Sequence, residues 1–218
     1  MKSWTFETKE IANIFDNHVR EQLPWYDMVT ESVSYIIKNY LSENDTVVDI
    51  GSSTGNMIHK ILPLVKERSC YISAIEKSEP MVEKLKEKYA NESCVEIIDS
   101  DVTKIRLPKA KVYILFLTLM FIPVNERKDL IERIRNLSIN GGVIIIVDKI
   151  CDHNGYFSTV LKRLTMHFKL LQGAKPEEVL TKEMSLAGIQ IPICQTVLGN
   201  DAKLFFRMGE FAGWVIET

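Results

Sequence analysis

TVVDIGSSTG, at Thr46–Gly55, decides the fold because it places a buried strand directly before a turn made of small residues. Val47, Val48 and Ile50 are β-branched apolar residues, which suit a strand that is covered on both faces. When a helix follows such a turn, the carboxyl end of the strand opens into the crevice where open α/β sheets bind their ligands. We therefore predict that a ligand approaches the backbone here, and that a β-branched side chain at Gly51, as in Gly51→Val, would occupy the space it needs.

Two more strands are predicted to end in acids at the same edge of the sheet. Glu76 closes the run 71–75 and lies 21 residues after Gly55, about where an acid meets a ribose in nucleotide-binding sheets. Asp101 follows the run 95–100 and is placed to accept a hydrogen bond from an adenine amino group. Together with Asp49, these acids favour a nucleoside that carries a cationic group over one that carries phosphates.

Ser53 bears on the class of cofactor. The turn has the spacing Gly-x-x-x-Gly, and Ser53 stands where the Gly-x-Gly-x-x-Gly motif of dinucleotide sites has its second glycine. The spacing argues against a nicotinamide cofactor, so an NAD-dependent oxidoreductase is the least favoured interpretation.

This part of the chain resembles the class I S-adenosyl-L-methionine (SAM) dependent methyltransferases. Their first motif is a hydrophobic strand that ends Asp-x-Gly-x-x-x-Gly, as at Asp49–Gly55, and their second strand ends in an acid, as at Glu76. The resemblance implies a Rossmann-like α/β fold with a seven-stranded, mostly parallel sheet and a C-terminal antiparallel hairpin. It also implies SAM as the cofactor.

The order of the patterns fits that fold, with strands and helices alternating from residue 46 to residue 148. We expect one SAM-binding domain over 1–218, with an N-terminal helical cap at 1–43 and a helical insertion at 153–189. The insertion precedes the last two strands, predicted at 202–207 and 212–217 as a hairpin.

Composition limits the partners and the compartment. The chain has 27 basic and 29 acidic side chains, a net charge of −2, so no general basic field is available to hold nucleic acid. Cys70, Cys94, Cys151 and Cys194 show no metal-ligand spacing, and we expect free thiols in a reducing cytosol and no bound metal. No secretory signal and no membrane span is predicted.

A closer resemblance, over 11–189, is to the carboxy-S-adenosylmethionine synthase family, which works beside the wobble-uridine tRNA modification pathway. It is carried by short matches along the chain: Pro24-Trp25-Tyr26, Asp49–Gly55, Thr118-Leu119, Phe121, Lys149, Phe168-Lys169, Gly173, Glu178 and Lys182. It implies that Tyr26 covers the methionine end of the cofactor, while Glu76 and Lys77 contact its adenosine.

The chain departs from that family in two ways. Phe116 stands where the family has an Asn that contacts the cofactor, and the segment that supplies an Arg for the extra carboxylate is shortened or missing. Arg207 remains there, inside a predicted strand. Because a buried carboxylate without a partner costs several kcal/mol, we expect ordinary SAM rather than carboxy-SAM as the cofactor.

The predicted site has a cofactor part and a substrate part. The cofactor residues are Tyr26, Asp49, Gly51, Ser52, Ser53, Gly55, Glu76, Lys77, Asp101, Val102 and Phe116. The candidates for substrate contact are His18, Arg20, Lys149, His153, Tyr156, His167 and Lys169. No catalytic residue is assigned, because methyl transfer from a sulfonium is an in-line displacement that mainly requires alignment and exclusion of water.

The sequence therefore predicts a SAM-dependent methyltransferase that acts on a small molecule or a modified nucleoside. Two alternatives stay open: a carboxy-S-adenosylmethionine synthase-like enzyme, and a SAM-binding protein that does no chemistry. The apolar insertion is a candidate surface for a homodimer.

Overall fold

The computed structural model describes residues 5–151 and 155–218 and contains one seven-stranded sheet in the order β3-β2-β1-β4-β5-β7-β6. The strands are β1 Thr46–Ile50, β2 Tyr71–Glu76, β3 Val95–Asp99, β4 Ala110–Phe116, β5 Ser138–Lys149, β6 Lys203–Met208 and β7 Phe211–Glu217. Strands β1 to β5 are parallel, and β7 runs antiparallel between β5 and β6. The predicted class I methyltransferase fold with its C-terminal hairpin is confirmed.

Helices cover both faces of this sheet. They are α1 Lys9–Gln22, α2 Tyr26–Tyr40, α3 Asn56–Glu67, α4 Glu79–Lys88, α5 Val124–Leu137, α6 Tyr156–Leu171 and α7 Pro176–Leu186. Short 3₁₀ turns lie at Leu119–Phe121 and Gln195–Val197. Helices α1 and α2 precede β1, and α6 and α7 lie between β5 and β6, where the helical insertion before the last two strands was predicted.

The core has two layers, because successive side chains of a buried strand point to opposite faces. Val47 packs with α2 and α3 on one face, whereas Val48 and Ile50 pack with α5 on the other. Asp49 lies between these positions and points to the same face as Val47, so its carboxyl group is buried beneath the N-terminal helices.

The start of β5 differs from the predicted strand 142–148. The strand begins at Ser138, directly after α5, and its register against β4 shifts between Ala110 and Val112. Residues 139–141 are exposed, so no apolar pattern marks them as strand. No helix within residues 5–151 and 155–218 has the length and apolar character needed to cross a membrane.

Candidate functional site

A cavity of about 410 Å³ opens at the carboxyl ends of the parallel strands. Its floor comes from the residues that follow β1, β2, β3, β4 and β5, and its walls come from α1, α2, α6 and α7. Cavities of this size hold small molecules and cofactors in other proteins.

The turn after β1 is held by its own backbone and by Glu76. The N–H groups of Gly51 and Ser52 both donate to Ile75 O, at 2.8 and 3.1 Å. Ser53 has φ = 53°, a left-handed conformation that is uncommon outside glycine, and its N–H donates to Glu76 Oε2 at 2.8 Å. This geometry aligns the turn with the end of β2.

Gly51 is needed for a different reason from the one that the sequence suggested. A Cβ on Gly51 would lie 2.5 Å from Thr118 Oγ1, so the space above this glycine is filled by the protein and not by a ligand. Gly51 also has φ = 74°, which L side chains rarely adopt. The expectation that a side chain here would meet the ligand is therefore corrected: it would meet Thr118.

Gly55, predicted to contact the cofactor, does not line the cavity. A Cβ at this position would lie 2.6 Å from the Tyr89 ring, and Tyr89 donates its hydroxyl hydrogen to Gly55 O at 2.7 Å. Asp16 of α1 accepts hydrogen bonds from Thr54 and, at 3.0 Å, from Asn56. Gly55 thus fixes the start of α3 against α4.

Glu76 lines the cavity at the predicted position. Its Oε2 accepts the Ser53 N–H, and its Oε1 accepts the N–H groups of Lys77 and Ser78 at 2.8 and 2.9 Å. A carboxylate has about four lone-pair sites, so three backbone donors leave about one for a ligand hydroxyl. The backbone holds this carboxylate in place for such a partner.

Two buried polar atoms in the cavity wall lack a hydrogen-bond partner among the described residues: Asp49 Oδ2 and Gln22 Oε1. Burial raises the pKa of Asp49 to about 7. Buried polar groups in folded proteins are nearly always satisfied, so these two atoms indicate that a ligand with hydrogen-bond donors completes the site.

Asp101 and Lys77 lie together beyond Glu76. Asp101 Oδ1 accepts hydrogen bonds from the backbone and the hydroxyl of Thr103, at 3.0 and 2.9 Å, and Lys77 Nζ lies 3.8 Å from Oδ2. Burial acts to raise the Asp101 pKa, but the two bonds from Thr103 and the Lys77 charge outweigh it and leave the pKa below its usual value. Asp101 is therefore an ionised acceptor at neutral pH.

Aromatic rings close the cavity from above. Tyr26 packs edge-on against Phe116 with ring centroids 5.4 Å apart, and Phe6 does the same against Phe121 at 5.1 Å. Phe6 also contacts Phe15 of α1, and its carbonyl accepts the Ser78 hydroxyl hydrogen at 2.7 Å. These rings restrict the access of water to the strand ends.

The far end of the cavity is basic. Lys149 is the last residue of β5, Lys169 lies on α6 and Lys182 lies on α7, and all three line the cavity with Glu183 and His18. Lys169 Nζ is 2.7 Å from Glu183, and Lys182 Nζ is 2.8 Å from His18 Nε2. Burial, followed by the Lys169 charge, lowers the pKa of Lys182 to about 7.

The structure brings most of the predicted site residues to this one cavity. Those that line it are Tyr26, Asp49, Gly51, Ser52, Ser53, Glu76, Lys77, Asp101, Val102, Phe116, His18, Lys149 and Lys169.

Three candidates for substrate contact lie elsewhere. Arg20 is on the outer side of α1, where its Nε is 2.9 Å from Asp27. Tyr156 is 70% exposed at the start of α6, and His167 is exposed on the same helix. His153 lies outside the described residues.

Sequence reasoning missed Gln22, Thr165 and Glu183 as cavity residues. Gln22 is one helical turn after His18, so the i, i+4 spacing on α1 was a usable signal. Glu183 directly follows Lys182 in the chain, but nothing in the sequence placed α7 over the strand ends. The described residues include no group of His, Cys, Asp and Glu that could hold a metal ion.

Comparison with known proteins gives a family and a fold. Residues 47–142 match the family described as "Methyltransferase domain". The carboxy-S-adenosyl-L-methionine synthase of Staphylococcus epidermidis is 32% identical over 193 residues, which cover 87% of this chain and 82% of that protein. The enzyme of the same name from Shewanella halifaxensis is 28% identical over 195 residues, with 88% and 80% covered.

Solved structures share the fold at low identity. Human N-acetylserotonin methyltransferase superposes with a TM-score of 0.62 at 15% identity, covering 98% of this chain and 58% of that one. A SAM-dependent methyltransferase from Aquifex aeolicus gives 0.56 at 19% identity, with 95% and 97% covered. At these identities the likeness concerns the fold.

Proposed function

The chain belongs to the carboxy-S-adenosyl-L-methionine synthase family. Within that family, we propose that it is a SAM-dependent methyltransferase acting on a small molecule or a modified nucleoside. The observation that carries the proposal is the Glu76 carboxylate, which three backbone N–H groups hold at the mouth of the cavity beside the Ser53 turn. The unpartnered Oδ2 of Asp49 fits a cationic ligand with hydrogen-bond donors.

The residues of the cavity bind and align the reactants. When bound, SAM supplies a methyl group on a positively charged sulfur, which an acceptor can displace in line. Glu76 and Asp101 would accept hydrogen bonds from the adenosine, and Asp49 would lie beneath the cationic part. The Tyr26 and Phe116 rings would exclude water from the reacting atoms.

A second candidate function is that of a carboxy-S-adenosyl-L-methionine synthase, the name that the curated relatives carry. The missing Arg counts against this function. Arg207 is indeed exposed on the edge strand β6, where its Nε donates to Gly209 O. The three lysines at the far end of the cavity favour this candidate, because they supply positive charge where the Arg is absent.

Binding and product analysis test the two candidates. Isothermal titration should show binding of both SAM and S-adenosylhomocysteine, and absence of binding to both would contradict the proposal. The mass of the nucleoside that co-purifies with the protein then separates the candidates, since an added carboxylate appears only for the synthase. A protein that binds SAM but transfers no group to small metabolites or tRNA from a cell extract would be a binding protein.

Glu76→Gln tests the central contact. The amide keeps the size of the side chain but replaces one accepting oxygen by a donor, so we expect SAM binding to weaken by about 1–3 kcal/mol. Glu96→Gln on the exposed side of β3 is the matched control and should leave the dissociation constant unchanged. Equal affinities for the Glu76 variant and the unmodified protein would remove Glu76 from the site.

The proposal also covers the location of the protein in the cell and its oligomeric state. We propose a cytosolic enzyme, supported by Cys70, Cys94, Cys151 and Cys194, all of which are free thiols. We also propose a homodimer through the insertion, where Leu171, Leu180 and Met184 are 65%, 60% and 70% exposed. Light scattering should give twice the 25.0 kDa chain mass, and a monomer would contradict the second proposal.

A further inference from the structure

The insertion with helices α6 and α7 begins and ends side by side. Ile150, directly after β5, and Ile193, after α7, form a parallel bridge. The Ile193 N–H donates to Lys149 O and the Cys151 N–H donates to Ile193 O, both at 2.8 Å. These two bonds hold the segment that enters the insertion against the segment that leaves it.

Each of these segments has a cysteine at its next position. Residues that face each other across a parallel pair lie about 4.8 Å apart. Because Ile150 pairs with Ile193, the next two positions opposite each other are Cys151 and Cys194. Cys194 has extended backbone angles, φ = −90° and ψ = 133°, so its segment still runs alongside the other one here. The register thus brings together two thiols that are far apart in the sequence.

The two cysteine side chains share one face. Ile193 is buried and belongs to the same core layer against which Ile150 packs. Since successive side chains of an extended segment point to opposite faces, Cys151 and Cys194 both point to the face away from that layer. Both are half-buried, which leaves them accessible to a small thiol reagent.

This placement meets the geometric requirement of a disulfide. The Cα atoms of bonded cysteines usually lie about 4.4–6.8 Å apart, and their Cβ atoms point toward each other rather than apart. Cys70 and Cys94 offer a contrast on β2 and β3. The register pairs Ile72 with Val95, so Cys94 lies opposite residue 71 and points to the other face from Cys70.

Cys194 also has the environment of an attacking thiol. The Thr196 hydroxyl donates to Cys194 Sγ at 3.0 Å, and this bond, together with one from the Thr196 backbone, lowers the pKa of Cys194. The thiolate is the nucleophilic form of cysteine, so this contact favours reaction at Cys194.

We propose that Cys151 and Cys194 form a reversible disulfide that joins the two ends of the insertion when the surrounding thiol pool is oxidised. The oxidant is a small disulfide such as glutathione disulfide. The Cys194 thiolate attacks it, its S–S bond breaks, and one glutathione leaves as a thiolate. The Cys151 thiol then loses its proton, and its sulfur attacks the Cys194 sulfur and releases the second glutathione. Two electrons pass to glutathione disulfide, and the two leaving thiolates take up the two protons.

The bond would close a loop that contains the whole of α6 and α7. These helices supply Thr165, Lys169 and Glu183 to the wall of the cavity, so the disulfide would fix the base of that wall. Disulfides of cytosolic proteins are usually transient and redox-sensing, which agrees with a bond that forms only on oxidation. The proposal does not depend on which ligand the cavity binds, and failure of the proposed function would leave it standing.

Peptide mapping of the native protein tests the bond. After incubation with glutathione disulfide and alkylation of the remaining thiols in denaturant, we expect a peptide with Cys151 linked to one with Cys194. Cys70 and Cys94 should be alkylated, and excess dithiothreitol should reverse the link. Cys151→Ser should instead retain one glutathione on Cys194.

Thermal unfolding tests the consequence. Oxidation should raise Tm by roughly 4–16 °C, because a disulfide that closes a long loop restricts the unfolded chain. Cys151→Ser and Cys194→Ser should lose this rise, whereas the matched control Cys94→Ser should keep it.

The contrary outcomes are distinct. Glutathione on both cysteines without a linked peptide, a link to Cys70 or Cys94, or a link between two chains would overturn the proposed bond. A linked peptide without a rise in Tm would overturn its role in holding the insertion.

Discussion

Asp49 couples the charge of the cavity to pH. Its pKa is raised to about 7 by burial, and a cationic ligand favours the ionised form. We therefore expect the affinity for SAM to increase as pH rises through about 7, by at most about tenfold per pH unit. Isothermal titration across this range measures the effect.

Asp49→Asn separates the effect of the Asp49 carboxyl group on SAM binding from that of other groups that titrate near neutral pH, among them Lys182. The variant should bind SAM with an affinity that depends less on pH than that of the unmodified protein. An unchanged pH profile would mean that Asp49 does not face the ligand.

The same pKa shift of Asp49 acts on folding. The folded state retains a proton that the unfolded chain releases, so the Asp49 contribution to stability falls as pH rises from about 4 to 7.

At the scale of the element, the turn between β1 and α3 depends on close packing against Thr118. Gly51→Ala should lower the free energy of unfolding by about 1–2 kcal/mol for the left-handed backbone and by about 1–3 kcal/mol more for overpacking. Gly188→Ala is the matched control, because Gly188 has φ = 78° and open space around its Cβ position. Denaturant unfolding that gives equal losses for the two variants would contradict the steric role of Thr118.

Arg127 joins two segments near the cavity to α5. The side chain is 2% exposed, and its guanidinium donates to the carbonyls of Met120, Ile122, Ile191 and Pro192 at 2.8–3.2 Å. Arg127→Met should lower the free energy of unfolding by roughly 3 kcal/mol, because four buried acceptors lose a charged donor.

Hydrogen exchange gives this prediction a local readout. The amide of Ile191, which donates to Met120 O at 2.9 Å, should lose protection in Arg127→Met. Arg135→Met on the same helix breaks a partly exposed pair with Asp201 and a hydrogen bond to Leu198 O, and should leave the protection of Ile191 unchanged. Full protection of Ile191 in the first variant would show that the segment holds its place without Arg127.

For the whole molecule, the sequence was sufficient to predict all seven strands, because each has a signal of its own, although the exposed residues 139–141 of β5 carry none. β1 and β2 are apolar runs with an acid at their last or next-to-last residue, and the rule of right-handed crossovers then places Asp49, Glu76 and Asp101 at one edge. The basic end was not predictable in the same way. His18 and Lys182 are 164 positions apart, and helical periodicity defines which face of α7 is apolar but not which element that face covers.

Ligand binding should be visible in the stability of the whole chain. A ligand that binds only the folded state at a concentration of 100 times its Kd stabilises it by about 2.7 kcal/mol. For a domain of this size each kcal/mol raises Tm by about 2–4 °C, so SAM should raise Tm by roughly 5–10 °C. NADH should give no shift, because Ser53 stands where a dinucleotide turn requires glycine. A larger rise in Tm with NADH than with SAM would overturn the assignment of the cofactor. A smaller rise in Tm for Glu76→Gln than for the unmodified protein, at the same SAM concentration, would connect the stabilisation to the cavity.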